Sequence, residues 1–259
     1  MPPTRTLLRG LAVLETLAES ADGASLTEIA IAIDLDRATV TRLLQTLSHA
    51  GYVRNDPQTR RYRLSGKIMR LAGGAGSQLD LRVTAKPYLV ALRDTANETV
   101  HLGILDEVTV TYIDKIESGR SIGLISSVGQ SHPLHYTALG KALLSALPDH
   151  ELRPRLARLS EQGLARKTSR TITTIAELTQ ALGQARERGF AIDDRESEDN
   201  VTCVAAPIIG GDNGATLAAV SISGPTFRMA GQMDELGRAV RRTADEVSLE
   251  LGGRLTVER

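Results

Sequence analysis

The sequence predicts two domains, a mainly α winged helix-turn-helix followed by an α+β domain with a mainly antiparallel sheet. Three observations predict it. Two short helical patterns joined by a tight turn lie between Ser25 and Leu47, and an Arg-rich hairpin pattern follows as far as Leu64. Beyond residue 79, strand-like runs come in groups with helices between them and at both ends. The expected boundaries are residues 1–64 for the first domain, 65–78 for a linker helix and hinge, and 79–259 for the second.

Residues 5–20 carry the pattern of an amphipathic helix that packs behind the others. Gly10 within it costs about 1 kcal/mol against alanine, which predicts a close helix contact there. Ser25-Leu-Thr-Glu28 is a capping box that opens the next helix, and Ile29, Ala30 and Ile33 give it an apolar face. The turn Ile33-Asp34-Leu35 follows, with Asp36 as N-cap of the second helix. There Val40, Leu43, Leu44 and Leu47 form one stripe toward a core. The opposite face presents Arg37, Thr39, Thr41, Arg42 and Gln45, side chains able to reach phosphates or base edges in a major groove. After Gly51, two β-leaning stretches surround an Asp56-Pro57 turn, and Arg60, Arg61 and Arg63 lie on the returning arm. From Asp36 to Arg70 eight Arg and Lys face two Asp, in a chain whose net charge is zero. Such a local excess is the electrostatic footprint of phosphate binding. Lys67 to Leu71 reads as a short helix leading out, and Gly73-Gly74-Ala75-Gly76-Ser77 as the hinge. The glycines are not a dinucleotide loop, because Leu79 stands where the third glycine is needed.

The second domain begins with a helix from Leu79 to Ala96, followed by strands at Glu98–Leu105, Val108–Ile116 and Ile122–Ser126. Helices over Ala138–Ala146, Glu151–Leu159 and Ile175–Gly189 come next. Strands at Phe190–Asp193, Val201–Ile209 and Thr216–Ser223 and a closing helix over Met233–Leu251 complete it. The order lacks the regular alternation of a doubly wound parallel sheet.

Composition narrows the partners. The single cysteine, Cys203, excludes an intramolecular disulfide and a multi-cysteine metal knuckle. Two Phe, five Tyr and no Trp argue against a base-stacking single-strand platform and leave duplex DNA as the partner. No apolar run reaches membrane-spanning length and Met-Pro-Pro-Thr-Arg lacks an apolar leader core, so the expectation is a cytoplasmic protein with no membrane partner.

Arg9-Gly-Leu-Ala-Val-Leu-Glu15, Leu26-Thr-Glu-Ile-Ala30, Ala38-Thr-Val-Thr-Arg-Leu-Leu-Gln-Thr-Leu47 and Gly51-Tyr-Val53 resemble the N-terminal domain of IclR-family transcriptional regulators. Asp34 departs from the glycine usual in that turn, but aspartate tolerates left-handed dihedrals better than most residues. Pro133-Leu-His-Tyr-Thr-Ala-Leu-Gly-Lys-Ala-Leu-Leu144, Gly189-Phe-Ala-Ile-Asp-Asp-Arg-Glu196, Cys203-Val-Ala-Ala-Pro207 and Ala218-Ala-Val-Ser-Ile-Ser-Gly-Pro225 resemble the GAF-like effector domain of the same family. Residues 79–259 then form an effector-binding and oligomerisation domain. The resemblance implies a regulator that binds a small metabolite in the second domain and so changes operator binding. One head reads only a few base pairs, so a homodimer or homotetramer on a near-palindromic operator is expected, with a small organic acid, aromatic or short aliphatic, as effector and with no cofactor.

Thr137-Ala-Leu-Gly-Lys141 lies where a loop enters a helix, so its N–H groups and the positive dipole end suit a carboxylate. The resemblance places the effector against Ala138, Leu139 and Gly140, and puts Asp193, Cys203, Ser221 and Ser223 on the pocket floor. Tyr136 stands where the family pattern has a small residue, and its phenol narrows the cavity or stacks on an aromatic acid. Gly140-Lys141 is not a P-loop, since His135 and Ala142 stand where glycine and a hydroxyl are required. His132 and His135 lack a third ligand for a metal and are expected to edge the pocket or lie on the surface. Two alternatives remain: a thiol enzyme using Cys203, His135 and Asp193, and a small-molecule sensor that does not touch DNA.

Overall fold

The computed structural model describes residues 4–20, 22–73, 77–120, 126–210 and 215–252. It divides into two compact units, Met1–Leu79 and Asp80–Arg259.

The first unit runs α1 (Arg5–Ala18), α2 (Leu26–Ala32), α3 (Arg37–His49), β1 (Val53–Asn55), β2 (Tyr62–Leu64) and α4 (Lys67–Gly73). The starts of both α2 and α3 are set by side chains. Ser25 Oγ accepts from Glu28 N at 3.3 Å while Ser25 N donates to Glu28 Oε2 at 2.7 Å, and Asp36 Oδ1 accepts from Thr39 N at 2.9 Å. In the turn between the two helices Asp34 takes φ +50°, the left-handed conformation the turn needs. Val13, Leu17, Ile29, Val40, Leu44 and Val53 make the core. The antiparallel β1–β2 arm is tied back by a bridge between Tyr62 and Ala24. Gly23 is required beside it: its φ is +73°, and a Cβ there would lie 2.4 Å from Tyr62 O. The contact expected at Gly10 is not made, because an added Cβ would meet nothing within 4 Å. Helix α1 packs through Val13 and Leu17, later along the helix, while Leu7, Leu8 and Leu11 stand exposed. Residues Gly74, Ala75 and Gly76 of the expected hinge lie outside the described residues.

The second unit contains α5 (Ser77–Ala96), β3 (Thr99–Asp106), β4 (Thr109–Ile116), β5 (Ser131–Pro133), α6 (Ala138–Ala146), α7 (Asp149–Gln162) and α8 (Ile175–Arg188). Then come β6 (Ala191–Asp194), β7 (Val201–Gly210), β8 (Ala215–Pro225), α9 (Thr226–Met229) and α10 (Met233–Glu250). The sheet has the order β5-β4-β3-β8-β7-β6, and each neighbouring pair is antiparallel. Strand alternation divides the side chains between two layers. Val204, Ala206, Ile208, Val220 and Ile222 join one core with Ala85, Leu89 and Leu92 of α5 and with Val240 and Val247 of α10. Ala205 and Ala219 face the other way, into a second core with Leu139, Leu143, Leu178 and Leu182 of α6 and α8. The expected strand at 122–126 falls almost wholly outside the described residues, whereas β5, pairing His132 with Val110, and the short α9 have no counterpart in the sequence pattern.

Candidate functional site

In the first unit, Val40, Leu43 and Leu44 anchor α3 in the core and leave Arg37, Ala38, Arg42, Gln45 and His49 exposed on its other side. Thr39 and Thr41 are half-buried, and each hydroxyl already donates locally, to Asp36 Oδ2 and to Arg37 O, both at 2.7 Å. Among the expected side chains, Arg37, Arg42 and Gln45 are exposed and make no side-chain hydrogen bond with another described residue. Ala38 and His49 are exposed as well and lie outside the expected set. Arg60, with φ +54°, and Arg63 are exposed on the arm. Arg61 differs, for its Nε donates to Gly23 O at 3.0 Å and its Nη2 lies 2.9 Å from Glu28 Oε2. It braces the arm against the turn before α2.

In the second unit a cavity of about 800 Å³ opens at the N-terminus of α6. Thr137 caps that helix, accepting from Gly140 N at 3.1 Å. The N–H groups of Ala138 and Leu139 take no partner among the described residues, and both residues line the cavity while being almost wholly buried. Two unpaired donors at the positive end of a helix dipole form a seat for an anion. Gly140 does not line the cavity. Its N–H is spent on Thr137, and its role is steric, since a Cβ there would lie 2.4 Å from Leu134 Cα and O.

Sheet register supplies the floor. Asp193 pairs with Cys203 and Cys203 with Ser223 in one row, and Ala205, Ser221 and His101 form the next. Asp193, Cys203, Ser221, Ser223 and His101 all line the cavity, with Tyr136, Tyr112 and His132. Asp193 is held in place: its Oδ1 accepts from Glu196 N at 2.7 Å and its Oδ2 from Ser197 Oγ at 2.6 Å. Burial pushes its carboxyl above the usual range against the pull of Lys141. Behind it Lys141, 2 % exposed, donates to Glu196 Oε1. Burial pushes Glu196 up to about 7, with the Lys141 cation opposing.

His135 belongs to neither place expected of it. It is buried, its Nε2 lies 3.0 Å from Ala165 O, and it does not line the cavity, so it anchors the 165 loop. Sequence reading also misses His101 and Tyr112. Both lie in strand-like runs whose neighbours across the sheet are distant in sequence, and only the pairing of His101 with Ser221 brings the first to the floor. No cluster of His, Cys, Asp and Glu among the described residues could hold a metal ion.

Two family models match the chain: "Bacterial transcriptional regulator IclR C-terminal" over residues 74–249 and "IclR helix-turn-helix domain" over residues 6–57. The chain is 32% identical over 248 residues to the HTH-type transcriptional regulator KdgR of Escherichia coli K12, covering 95% of this chain and 92% of that protein. The crystal structure of the Thermotoga maritima IclR superposes with a TM-score of 0.77 at 30% identity, covering 95% of this chain and 98% of that one. An IclR homolog from Microbacterium hydrocarbonoxydans, crystallised with 4-hydroxybenzoate, has the same fold, with a TM-score of 0.80 at 21% identity, covering 95% of this chain and 98% of that one.

Proposed function

The chain belongs to the IclR family of bacterial transcriptional regulators, and from that premise we propose how its residues divide the work of binding DNA and sensing an effector. Arg37, Arg42 and Gln45 of α3 enter the major groove, with Thr39 and Thr41 beside them, and Arg60 and Arg63 meet phosphates or the minor groove. Arg61 holds the arm in the shape that lets its neighbours reach. One such head reads few base pairs, so a homodimer or homotetramer places two heads on a near-palindromic operator.

A small organic acid bound in the second unit sets operator affinity. The observation that carries this reading is the pair of unpartnered N–H groups on Ala138 and Leu139 opening into the cavity. A carboxylate there gains two charge-assisted hydrogen bonds and the helix dipole. Asp193, Cys203, Ser221 and Ser223 form the floor beneath it, and Gly140 keeps the helix start close enough to Leu134 to hold the seat in shape. Operator and effector then influence one another by the same factor.

The thiol-enzyme alternative is disfavoured on chemical grounds. Burial first, then the Asp193 charge, push the Cys203 thiol well above its ordinary value, so it stays protonated and a poor nucleophile. Its supposed base, His135, is engaged elsewhere. No helix among the described residues is long and apolar enough to cross a membrane, and we place the protein in the cytoplasm with its DNA.

A gel-shift titration of the full chain on DNA flanking its own gene, with a panel of organic acids, tests the proposal. A sequence-specific shift altered by one acid is the expected result. Binding without sequence preference that no acid alters would overturn it.

A further inference from the structure

Resting on the reading of the cavity as an effector site, we infer that Asp114 is the positioning residue through which occupancy of the cavity reaches the helix leading to the head. It sits behind the cavity, on the far face of the sheet, and holds α5 through Lys86 and Arg82.

A bulge connects the two faces. Side chains two apart on a regular strand share a face, so Tyr112 and Asp114 would lie on the same side of β4. They do not. Gly103 pairs with Tyr112 and Leu102 with Asp114, which leaves Ile113 as an extra residue in β4. Tyr112 lines the cavity on the α6 side, whereas Leu102 and Ile113 pack in the core under α5, and Asp114 turns to that side with them. Gly103 makes the second contact with the cavity. Leu139, one of the two residues of the anion seat, lies so close over it that a Cβ there would come within 3.2 Å of Leu139 Cδ1. A molecule in the cavity therefore meets Tyr112 and Leu139, and both bear on the residue pair beside the bulge.

Asp114 carries the connection to α5. It is 2 % exposed, and Lys86 Nζ donates to its two oxygens at 2.9 and 3.0 Å, with Arg82 Nε 3.5 Å from Oδ2. Arg82 and Lys86 stand one turn apart on α5. The helix does not need this charge to stay on the sheet, because Leu81, Ala85, Leu89 and Leu92 already bury an apolar stripe. A buried ion pair adds little net stability over apolar packing, and its best-attested use is to fix register. Apolar contacts tolerate a small slide or roll of a helix, whereas Lys86 and Arg82 reach Asp114 in one setting. Toward the other end of α5, Arg93 Nη1 donates to Glu117 O at 2.9 Å, so the helix has a pivot there and its first half follows Asp114. That half leads to the head: α5 begins at Ser77, ahead of the boundary between the units at Leu79 and Asp80.

Two measurements on the full chain test the inference. In the first, a duplex of DNA flanking its own gene is titrated with and without 4-hydroxybenzoate, pyruvate or gluconate, and acid binding to the DNA-free chain is followed by calorimetry. Coupling between two sites is commonly about 5–150-fold. In Asp114→Asn the two cations, each 45 % exposed, turn to water once the charge is gone. The variant is expected to bring the acid's effect on duplex binding to within about 2-fold of no coupling, while acid affinity stays within about 3-fold. Lys86→Gln, a change at the surface, is expected to weaken the coupling in the same direction. The second measurement uses no acid. By reciprocity, the duplex alone is expected to change hydrogen exchange over residues 110–116 of the natural chain and to leave it unchanged in Asp114→Asn. Full coupling in Asp114→Asn, or a β4 indifferent to the duplex in the natural chain, overturns the inference while the effector reading stands. Duplex binding that none of the acids alters takes down the effector reading and the inference with it. The exchange measurement on the natural chain decides the matter even if Asp114→Asn does not fold.

Discussion

Glu28, Asp36 and Asp56 of the first unit lie at the surface, each fastened to backbone or side-chain donors at the start of a helix or turn, and those bonds hold their carboxyls below the usual range. Asp193 and Glu196 of the second unit are buried beside Lys141, and burial pushes both upward. The difference is one of purpose. The head shapes its backbone with surface carboxylates and leaves exposed Arg37, Arg42, Arg60 and Arg63, the cations proposed to meet DNA. The second unit sinks charge beneath the start of α6 and holds that helix end, with its two open N–H groups, at a fixed height over the sheet. Substitutions should therefore damage stability in one unit and DNA contact in the other.

The largest effect is expected for Lys141→Ala. It strands a buried Glu196, and where that carboxyl is charged, above about pH 7, removing one partner of a buried pair costs about 3–5 kcal/mol, read as early unfolding of the second unit. The loss should shrink toward pH 5, where Glu196 is neutral and no longer needs a cation. A loss that stays constant with pH would mean that Lys141 acts through packing alone. Gly140→Ala is the steric counterpart. Forcing a Cβ to 2.4 Å from Leu134 should cost about 1–3 kcal/mol in thermal unfolding and weaken binding of any acid at the helix start.

Much of this is legible in the sequence. The capping box at Ser25, the N-cap Asp36 and the turn at Asp34 are local chemistry, written within a few residues. The α6 bounds follow from the apolar pattern between Thr137 and Ala146 in the same way. What escapes depends on partners remote in sequence. Arg61 looks like one more cation of the arm, and only the nearness of Gly23 O and Glu28 gives it a bracing role. His101 looks like an interior strand residue until register sets it beside Ser221. Gly10 misleads because glycine in a helix has two causes, close approach or mere tolerance, and periodicity does not distinguish them. Strand β5, three residues ending in proline, carries no alternation long enough to read.

In the head the comparison is tested in reverse. Arg42→Ala should cost about 1–3 kcal/mol in operator binding and relax base preference, with thermal unfolding unchanged. Arg61→Ala should instead leave the salt dependence nearly intact and loosen the arm, seen as faster hydrogen exchange over residues 53–64. A salt slope reduced by a full phosphate contact would return Arg61 to the DNA surface. Asp36→Ala removes an N-cap and should cost about 1 kcal/mol of head stability.

The two units should also part in their response to pH. A carboxyl whose folded value is lowered stabilises above its ordinary range and loses that contribution as pH falls through the lowered value, which is the case in the head. Glu196 runs the other way. Its contribution is fully present below its ordinary value of 4.5 and is lost as pH rises through about 7. Hydrogen exchange followed between those limits should show α6 more protected toward the acid end and α3 nearly level. Equal trends in both helices would dissolve the contrast between the units.

The most direct test is the acid response of operator binding in Ala138→Pro. Proline is well tolerated at the first helical position, and Thr137 before it already has the extended φ −102°, ψ 144° that proline demands. The substitution deletes one of the two N–H groups proposed to hold the carboxylate and leaves the helix standing. The expected result is unchanged operator affinity without acid and a response that requires about 10-fold more acid, as loss of one charge-assisted hydrogen bond implies. A variant that answers the acid as the natural chain does would place the effector elsewhere.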